Sequence, residues 1–148
     1  MSEFDLLITG GTVVAADAST KCDIAVKDGR IAALGSNLGQ AADMIDASGR
    51  LVLPGGVDSH CHIEQLAASG LINSDTFETA TRAAAAGGTT TVIPFAAQYE
   101  GMSLTKVVED YHTLARNGAM VDYAFHMIIA GPNPEVLDEE LPPLIEAG

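Results

Sequence analysis

The run Leu51–Glu64, which reads Leu-Val-Leu-Pro-Gly-Gly-Val-Asp-Ser-His-Cys-His-Ile-Glu, decides the fold. Its apolar residues predict a buried β-strand over 51–62. Because successive side chains of a strand point to opposite faces, His60 and His62 share one face and Cys61 lies on the other. Two imidazoles on one face of a rigid strand can hold one metal ion.

Strands alternate with helices after this run, which predicts a parallel sheet. Three βα units are expected, as in the first part of a (β/α)8 barrel; a small three-stranded α/β domain is the alternative. The expected elements are a helix starting at an Asp75–Glu78 capping box, a strand over Thr89–Phe95, a helix from Ser103 to Gly118, a strand over Asp122–Ala130, and a helix opened by Asn133-Pro134 and interrupted at Pro142-Pro143. A full barrel needs roughly 200 residues or more, so we expect the sequence to be an N-terminal fragment of a longer product.

Residues 1–50 have a different character, with short strands and tight turns. Asp28-Gly29 between two apolar runs predicts a β-hairpin. We expect a small antiparallel β unit that completes its sheets with strands from elsewhere. The predicted domains are therefore 1–50, a partial accessory β domain, and 51–148, the first part of a barrel.

Composition excludes several classes of protein. Twenty acidic and seven basic residues give a net charge of −13, which argues against nucleic acid or an anionic membrane as partner. No apolar run reaches the ~18 residues of a membrane span, and no secretory signal is visible. Two cysteines, Cys22 and Cys61, predict reduced thiols in a cytoplasmic protein rather than a disulfide framework.

Active sites of parallel barrels lie at the carboxyl ends of the strands, where His60 and His62 fall. A catalytic zinc ion takes three protein ligands and an open position, so two histidines require further ligands from later strands. Asp58 shares their strand face and either orients a ligand histidine or caps the preceding turn. Glu64 either lines the site or is a solvated loop residue. Metal-assisted hydrolysis of an amide or ester is the chemistry that such a site supports.

Other polar and aromatic residues carry weaker expectations. Gln65 and Phe95, with Gln98, follow strand ends and are candidate pocket-lining residues. His126 is expected to be a core histidine rather than a ligand, and His112 a surface histidine. Cys61 would become a zinc ligand only if the strand alternation failed.

Three stretches carry a family resemblance. Pro54–Glu64 resembles the first-strand motif of the amidohydrolase superfamily, and Ala83–Ile93 resembles the second-strand entry of its cyclic-amidase branch. Asp5–Val14 and Asp23–Ala32 are similar to strands of the accessory β-sandwich of that superfamily. The closest resemblance is to the dihydropyrimidinase/hydantoinase family. The Arg typical of dihydroorotases and the Asn-Glu-Pro typical of allantoinases are absent after the histidine pair.

The resemblance implies a homotetrameric hydrolase with two zinc ions, or manganese or cobalt, bridged by a carboxylated lysine. A metal-bound hydroxide then attacks the ring carbonyl of a cyclic ureide such as a dihydropyrimidine or hydantoin. Only His60 and His62 map onto this chain, since the lysine, the other histidines and the general base are expected beyond residue 148. The 148 residues would be inactive alone. The alternative is a truncated, non-catalytic α/β module that binds metal or associates with other subunits.

Overall fold

The computed structural model describes residues 2–67 and 69–147. The chain folds into two compact units, which are Met1–Pro54 and Gly55–Gly148. Within the described residues, no helix combines the length and the apolar character needed to cross a membrane.

The first unit contains two small β-sheets. The larger has the strand order β5-β4-β1-β6 and the smaller the order β3-β2-β7. The strands are β1 (Phe4–Thr9), β2 (Thr12–Val14), β3 (Ser19–Lys21), β4 (Asp23–Lys27), β5 (Arg30–Gly35), β6 (Ala41–Asp46) and β7 (Leu51–Val52).

The hairpin predicted at Asp28-Gly29 is confirmed. Both residues have positive φ, 50° and 70°, which is the type I′ conformation that matches strand twist. The prediction of a purely antiparallel unit is wrong, because β1 pairs with β6 and β2 pairs with β7 in parallel. Hydrophobic alternation identifies a strand but carries no information about the direction of its partner.

The strand predicted over 51–62 is interrupted. Leu51–Val52 pairs with β2 in the first unit, and a second strand, β8 (Gly56–Cys61), begins the second unit. Pro54 has no N–H to donate to a ladder. At Gly55 a Cβ would lie 2.0 Å from Thr90 Oγ1, so only glycine fits at this position. The division between the units therefore falls after Pro54, four residues beyond the predicted boundary.

The second unit is a parallel sheet with helical crossovers. Strand β9 (Thr89–Ala97) lies in the middle, with β8 on one side and β10 (Asp122–Tyr123) and β11 (His126–Ile128) on the other. All three pairings are parallel, as the alternation of strands and helices predicted. The single strand predicted over 122–130 is two short strands in one continuous register, since the chain leaves the ladder at 124–125.

Helices α1 (Phe77–Ala86) and α2 (Leu104–Gly118) connect these strands. The capping box of α1 is formed by Thr76 and Thr79, so the predicted box of Asp75 and Glu78 is displaced by one residue. Ser103 caps α2 as predicted. The residues that pack α1, α2 and β9 into the core of this unit are Ile63, Phe77, Val92, Ala96, Val107, Tyr111 and Ala115.

The last segment begins with a capping contact that the sequence predicted. Asn133 Oδ1 accepts a hydrogen bond from Val136 N–H at 2.9 Å. A π-helical turn over Glu135–Glu140 then continues into α3 (Leu141–Ala147). Pro142 and Pro143 lie in the first turn of α3, directly after the π-helical turn. The prolines thus restart the helix rather than end it.

Candidate metal centre

His60 and His62 lie side by side at the carboxyl end of β8. Their ring centroids are 5.6 Å apart, and the rings are inclined at 71°. Two imidazoles bound to one tetrahedral zinc through nitrogens at about 2.0–2.1 Å place their ring centres roughly 5 Å apart. Both residues are exposed. The spacing of the pair therefore fits a shared metal ion.

Phe95, near the carboxyl end of β9, packs against both rings. Its ring centroid lies 4.7 Å from that of His60 and 5.0 Å from that of His62, and it stacks on His62 at an interplanar angle of 14°. The sequence predicted Phe95 as a pocket-lining residue, and the structure places it against the two histidine rings. The aromatic wall restricts the rotation of both imidazoles.

Gln65 contacts the ring of His62 directly. Its Oε1 lies 2.5 Å from His62 Nδ1. An amide oxygen can only accept a hydrogen bond, so this contact is a hydrogen bond when His62 carries a hydrogen on Nδ1. The expectation for Gln65 was a pocket-lining residue; the structure places it behind the ring of His62.

His126 joins this group, although the sequence predicted a core histidine. It is exposed, its ring lies 5.1 Å from Phe95, and its Nε2 donates to the carbonyl of Ser59 at 3.0 Å. The signal that would have found it is the parallel register, which sets His126 opposite Phe95. Because the strand breaks at 124–125, His126 begins β11 instead of lying in the middle of a long strand.

Asp58 does not orient a histidine ring. Its Oδ1 accepts a hydrogen bond from the backbone N–H of His60 at 3.1 Å. The register between β8 and β9 shifts between Asp58 and Cys61, so the carboxylate stabilises a bulge. This contact differs from both predicted roles of Asp58, because its partner is the backbone of His60 and neither a histidine ring nor the preceding turn. Bulges recur beside active sites because they redirect side chains.

Glu64 is engaged at the start of α1. Its Oε2 accepts a hydrogen bond from Phe77 N–H at 2.9 Å, where a carboxylate is favoured by the helix dipole. Its φ is 51°, a left-handed conformation that is uncommon outside glycine. This structural role replaces the predicted lining of the site by Glu64.

Three further residues turn away from the pair. Cys61 packs against the core, as the alternation predicted, and burial raises the pKa of its thiol. His112 is half-buried, with its ring 4.9 Å from Phe125, so the prediction of a surface histidine is wrong. Gln98 is fully buried and bonds Met102 O through Nε2 and Gly131 N–H through Oε1.

The pair alone does not supply the three protein ligands of a catalytic zinc site. Among residues 2–67 and 69–147, no three histidine, cysteine or carboxylate side chains converge in a manner that could hold a metal ion. A zinc site with three protein ligands therefore needs at least one ligand from outside this set.

Comparison with solved structures places the fold among α/β hydrolases of hydantoins. A D-hydantoinase (dihydropyrimidinase) from Thermus sp. superposes with a TM-score of 0.90 at 30% identity, over 97% of this chain and 31% of the other. A D-hydantoinase from Rhizobium radiobacter is 43% identical over 135 residues, which are 91% of this chain and 29% of the relative. The chain is homologous to an N-terminal portion of the D-hydantoinase/dihydropyrimidinase family.

Two further findings define the limits of this similarity. The chain spans about 30% of the length of the curated relatives that it matches, and no family model matches it. An allantoinase from Escherichia coli O1:K1 is 52% identical over 90 residues, 61% of this chain. The similarity therefore extends to enzymes named allantoinases as well as to those named hydantoinases.

Proposed function

We propose that this chain forms the metal-binding beginning of an enzyme that hydrolyses cyclic amides. The observation that carries the proposal is the pair of histidines at the carboxyl end of β8, spaced as two ligands of one ion. The similarity to D-hydantoinases supports the class of reaction. The parallel sheet of β8, β9 and β10–β11 would then be the first three βα units of a (β/α)8 barrel.

A divalent metal in this position lowers the pKa of bound water and polarises a carbonyl. Zinc is the expected ion, and manganese or cobalt also accept imidazole and oxygen ligands. Within this chain, His60 and His62 would hold the ion, and Phe95 packs against both of their rings. The further ligands, among them the carboxylated lysine that the family resemblance implies, and the general base would come from elsewhere in the protein.

The proposed substrate is a small cyclic ureide, such as a hydantoin or a dihydropyrimidine. The similarity to an allantoinase over 90 residues makes allantoin the competitor to test. We further propose a cytoplasmic homotetramer, as the resemblance to the family implies.

The test uses the full-length native protein. We expect bound metal at purification and ring opening of dihydrouracil or hydantoin in preference to allantoin. His60→Ala and His62→Ala should each remove metal and activity together, because each deletes one of the few ligands. His112→Gln is the matched control. His112 lies on α2, with its ring against Phe125, so this variant should retain metal. Unchanged metal content in both alanine variants would refute the site.

A further inference from the structure

We propose that Gln65 is the positioning residue for His62, fixing its ring so that Nε2 faces the metal. This inference rests on the proposed function. The 2.5 Å contact between Gln65 Oε1 and His62 Nδ1 is its starting point. A metal-binding histidine commonly donates its second N–H to an oxygen acceptor, which fixes both tautomer and orientation.

The backbone of Gln65 is held in place by two hydrogen bonds to Asn73. Gln65 N–H donates to Asn73 Oδ1 at 3.1 Å, and Asn73 N–H donates to Gln65 O at 3.2 Å. These two bonds close a short hairpin, in which Leu66 and Ile72 also pair. A glutamine on a closed hairpin has fewer conformations to lose when it orients a histidine.

The beginning of the hairpin is bonded to two neighbouring parts of the second unit. Tyr99, which lies just beyond the end of β9, donates a hydrogen bond from its Oη to Leu66 O at 2.6 Å. Glu64, at φ 51°, turns the chain sharply after His62, and its carboxylate accepts from Phe77 N–H. Backbone strain of this kind persists only where the surroundings fix it. Here the turn brings Gln65 back against the imidazole three residues earlier.

The effect of Gln65 should be confined to His62. Asp58 bonds the backbone N–H of His60 rather than its ring, and in the described part of the chain no side chain accepts a hydrogen bond from the His60 ring. Loss of Gln65 would therefore free one ligand ring and leave the other as it is. Removing the outer partner of a metal ligand typically costs about 10–100-fold in metal affinity.

The experiment compares zinc affinity in the full-length native protein by competition with a chelator. Gln65→Met removes the acceptor at similar volume, and we expect zinc to bind about 10–100-fold more weakly. Gln65→Glu keeps an oxygen acceptor and should bind zinc nearly as well as the parent. Gln40→Met, at an exposed glutamine in the first unit, is the matched control and should change nothing.

Nitrogen NMR of labelled histidine in the metal-free protein provides a readout that a general structural defect would not imitate. The parent should show His62 with its hydrogen on Nδ1, and Gln65→Met should shift His62 toward the other tautomer. Unchanged zinc affinity in Gln65→Met would overturn the inference, as would equal losses in Gln65→Met and Gln65→Glu. A parent protein that binds no zinc would instead refute the proposed function.

Discussion

A single hydroxyl on Thr81 joins α1 to the segment that precedes β10. The side chain is fully buried. Its Oγ1 donates to Phe77 O at 2.5 Å and accepts from Met120 N–H at 3.0 Å. This hydroxyl thus adds a hydrogen-bonded link between α1 and the segment before β10 to the apolar packing of Phe77 against Tyr123 and Phe125.

We expect Thr81→Val to lower the free energy of unfolding by about 1–3 kcal/mol. Valine has nearly the same shape but leaves the partly buried N–H of Met120 without an acceptor. Chemical denaturation of the full-length protein measures the change. Thr81→Ser retains the hydroxyl and should lose less. If Thr81→Val were as stable as the parent, the hydrogen bond to Met120 would contribute nothing to the free energy of unfolding.

At the residue scale, the sequence predicted what depends on strand alternation and missed what depends on the turn. His60, His62 and Cys61 were assigned to the correct faces from period two alone. The hydrogen bonds of Gln65, Asp58 and Glu64 were not predicted. The left-handed turn at Glu64 places Glu64 and Gln65 against their partners, whereas Asp58 bonds a backbone N–H only two residues away.

At the element scale, the start of α2 depends on the π-helical turn that follows β11. Glu140 accepts hydrogen bonds from the Ser103 hydroxyl at 2.6 Å and from Leu104 N–H at 2.5 Å. The Ser103 hydroxyl, followed by the backbone amides of α2, lowers the pKa of Glu140. The carboxylate thus joins two helical segments that are far apart in the sequence.

This contact predicts a dependence of stability on pH. A carboxylate whose pKa is lowered by folding stabilises the protein above its unfolded pKa, near 4.3. That stabilisation is lost as the pH falls through the lower, folded value. Glu140→Gln should lower the unfolding midpoint at neutral pH and weaken its fall in acid.

Measuring the urea midpoint of the full-length protein between about pH 3 and pH 7 tests this expectation. Glu139→Gln, at the exposed neighbouring residue, is the matched control. Parallel pH profiles for the parent and Glu140→Gln would show that the carboxylate does not stabilise α2.

Elements were predicted better than their ends. The 3.6-residue period of apolar residues predicted α2 and its buried face correctly. The buried residues of α2 are Leu104, Val107, Tyr111 and Ala115, which recur with that period. The cap of α1 was missed by one residue, since Asp75 and Thr76 are both good N-cap residues. Only the backbone angles, with Thr76 extended at φ −83° and ψ 169°, select between them.

At the scale of the molecule, β8 has one open edge. Within the described residues it pairs with β9 alone, and Val57 on it is 62% exposed. An apolar strand with unpaired backbone groups is a template for association with another chain. In the proposed barrel, a strand from elsewhere in the protein would cover this edge.

A polypeptide of these 148 residues expressed alone should therefore self-associate. Val57→Lys should reduce that association, because a charged side chain discourages strand pairing at an edge. Ile145→Lys is the matched control, since Ile145 is 64% exposed but lies on α3. Size-exclusion chromatography over a range of concentrations measures the effect. A monomeric parent, or equal effects of both lysine variants, would contradict this prediction.

The alternation of strands and helices was sufficient to predict the parallel sheet of the second unit. It was not sufficient for the first unit, where β1 and β6 pair in parallel across more than thirty residues of chain. The division after Pro54 was also missed, because the pairing of Leu51 with Thr12 depends on a contact distant in sequence.

The closeness of His60 and His62 has a consequence for how the protein is made. Two ligands separated by a single residue owe their spacing to one strand, and the glutamine behind one of them follows three residues later. No distant part of the polypeptide has to arrive before these rings are correctly spaced. We therefore expect the spacing of the two rings to be set during synthesis as soon as β8 forms, whatever the timing of the other contacts of the second unit.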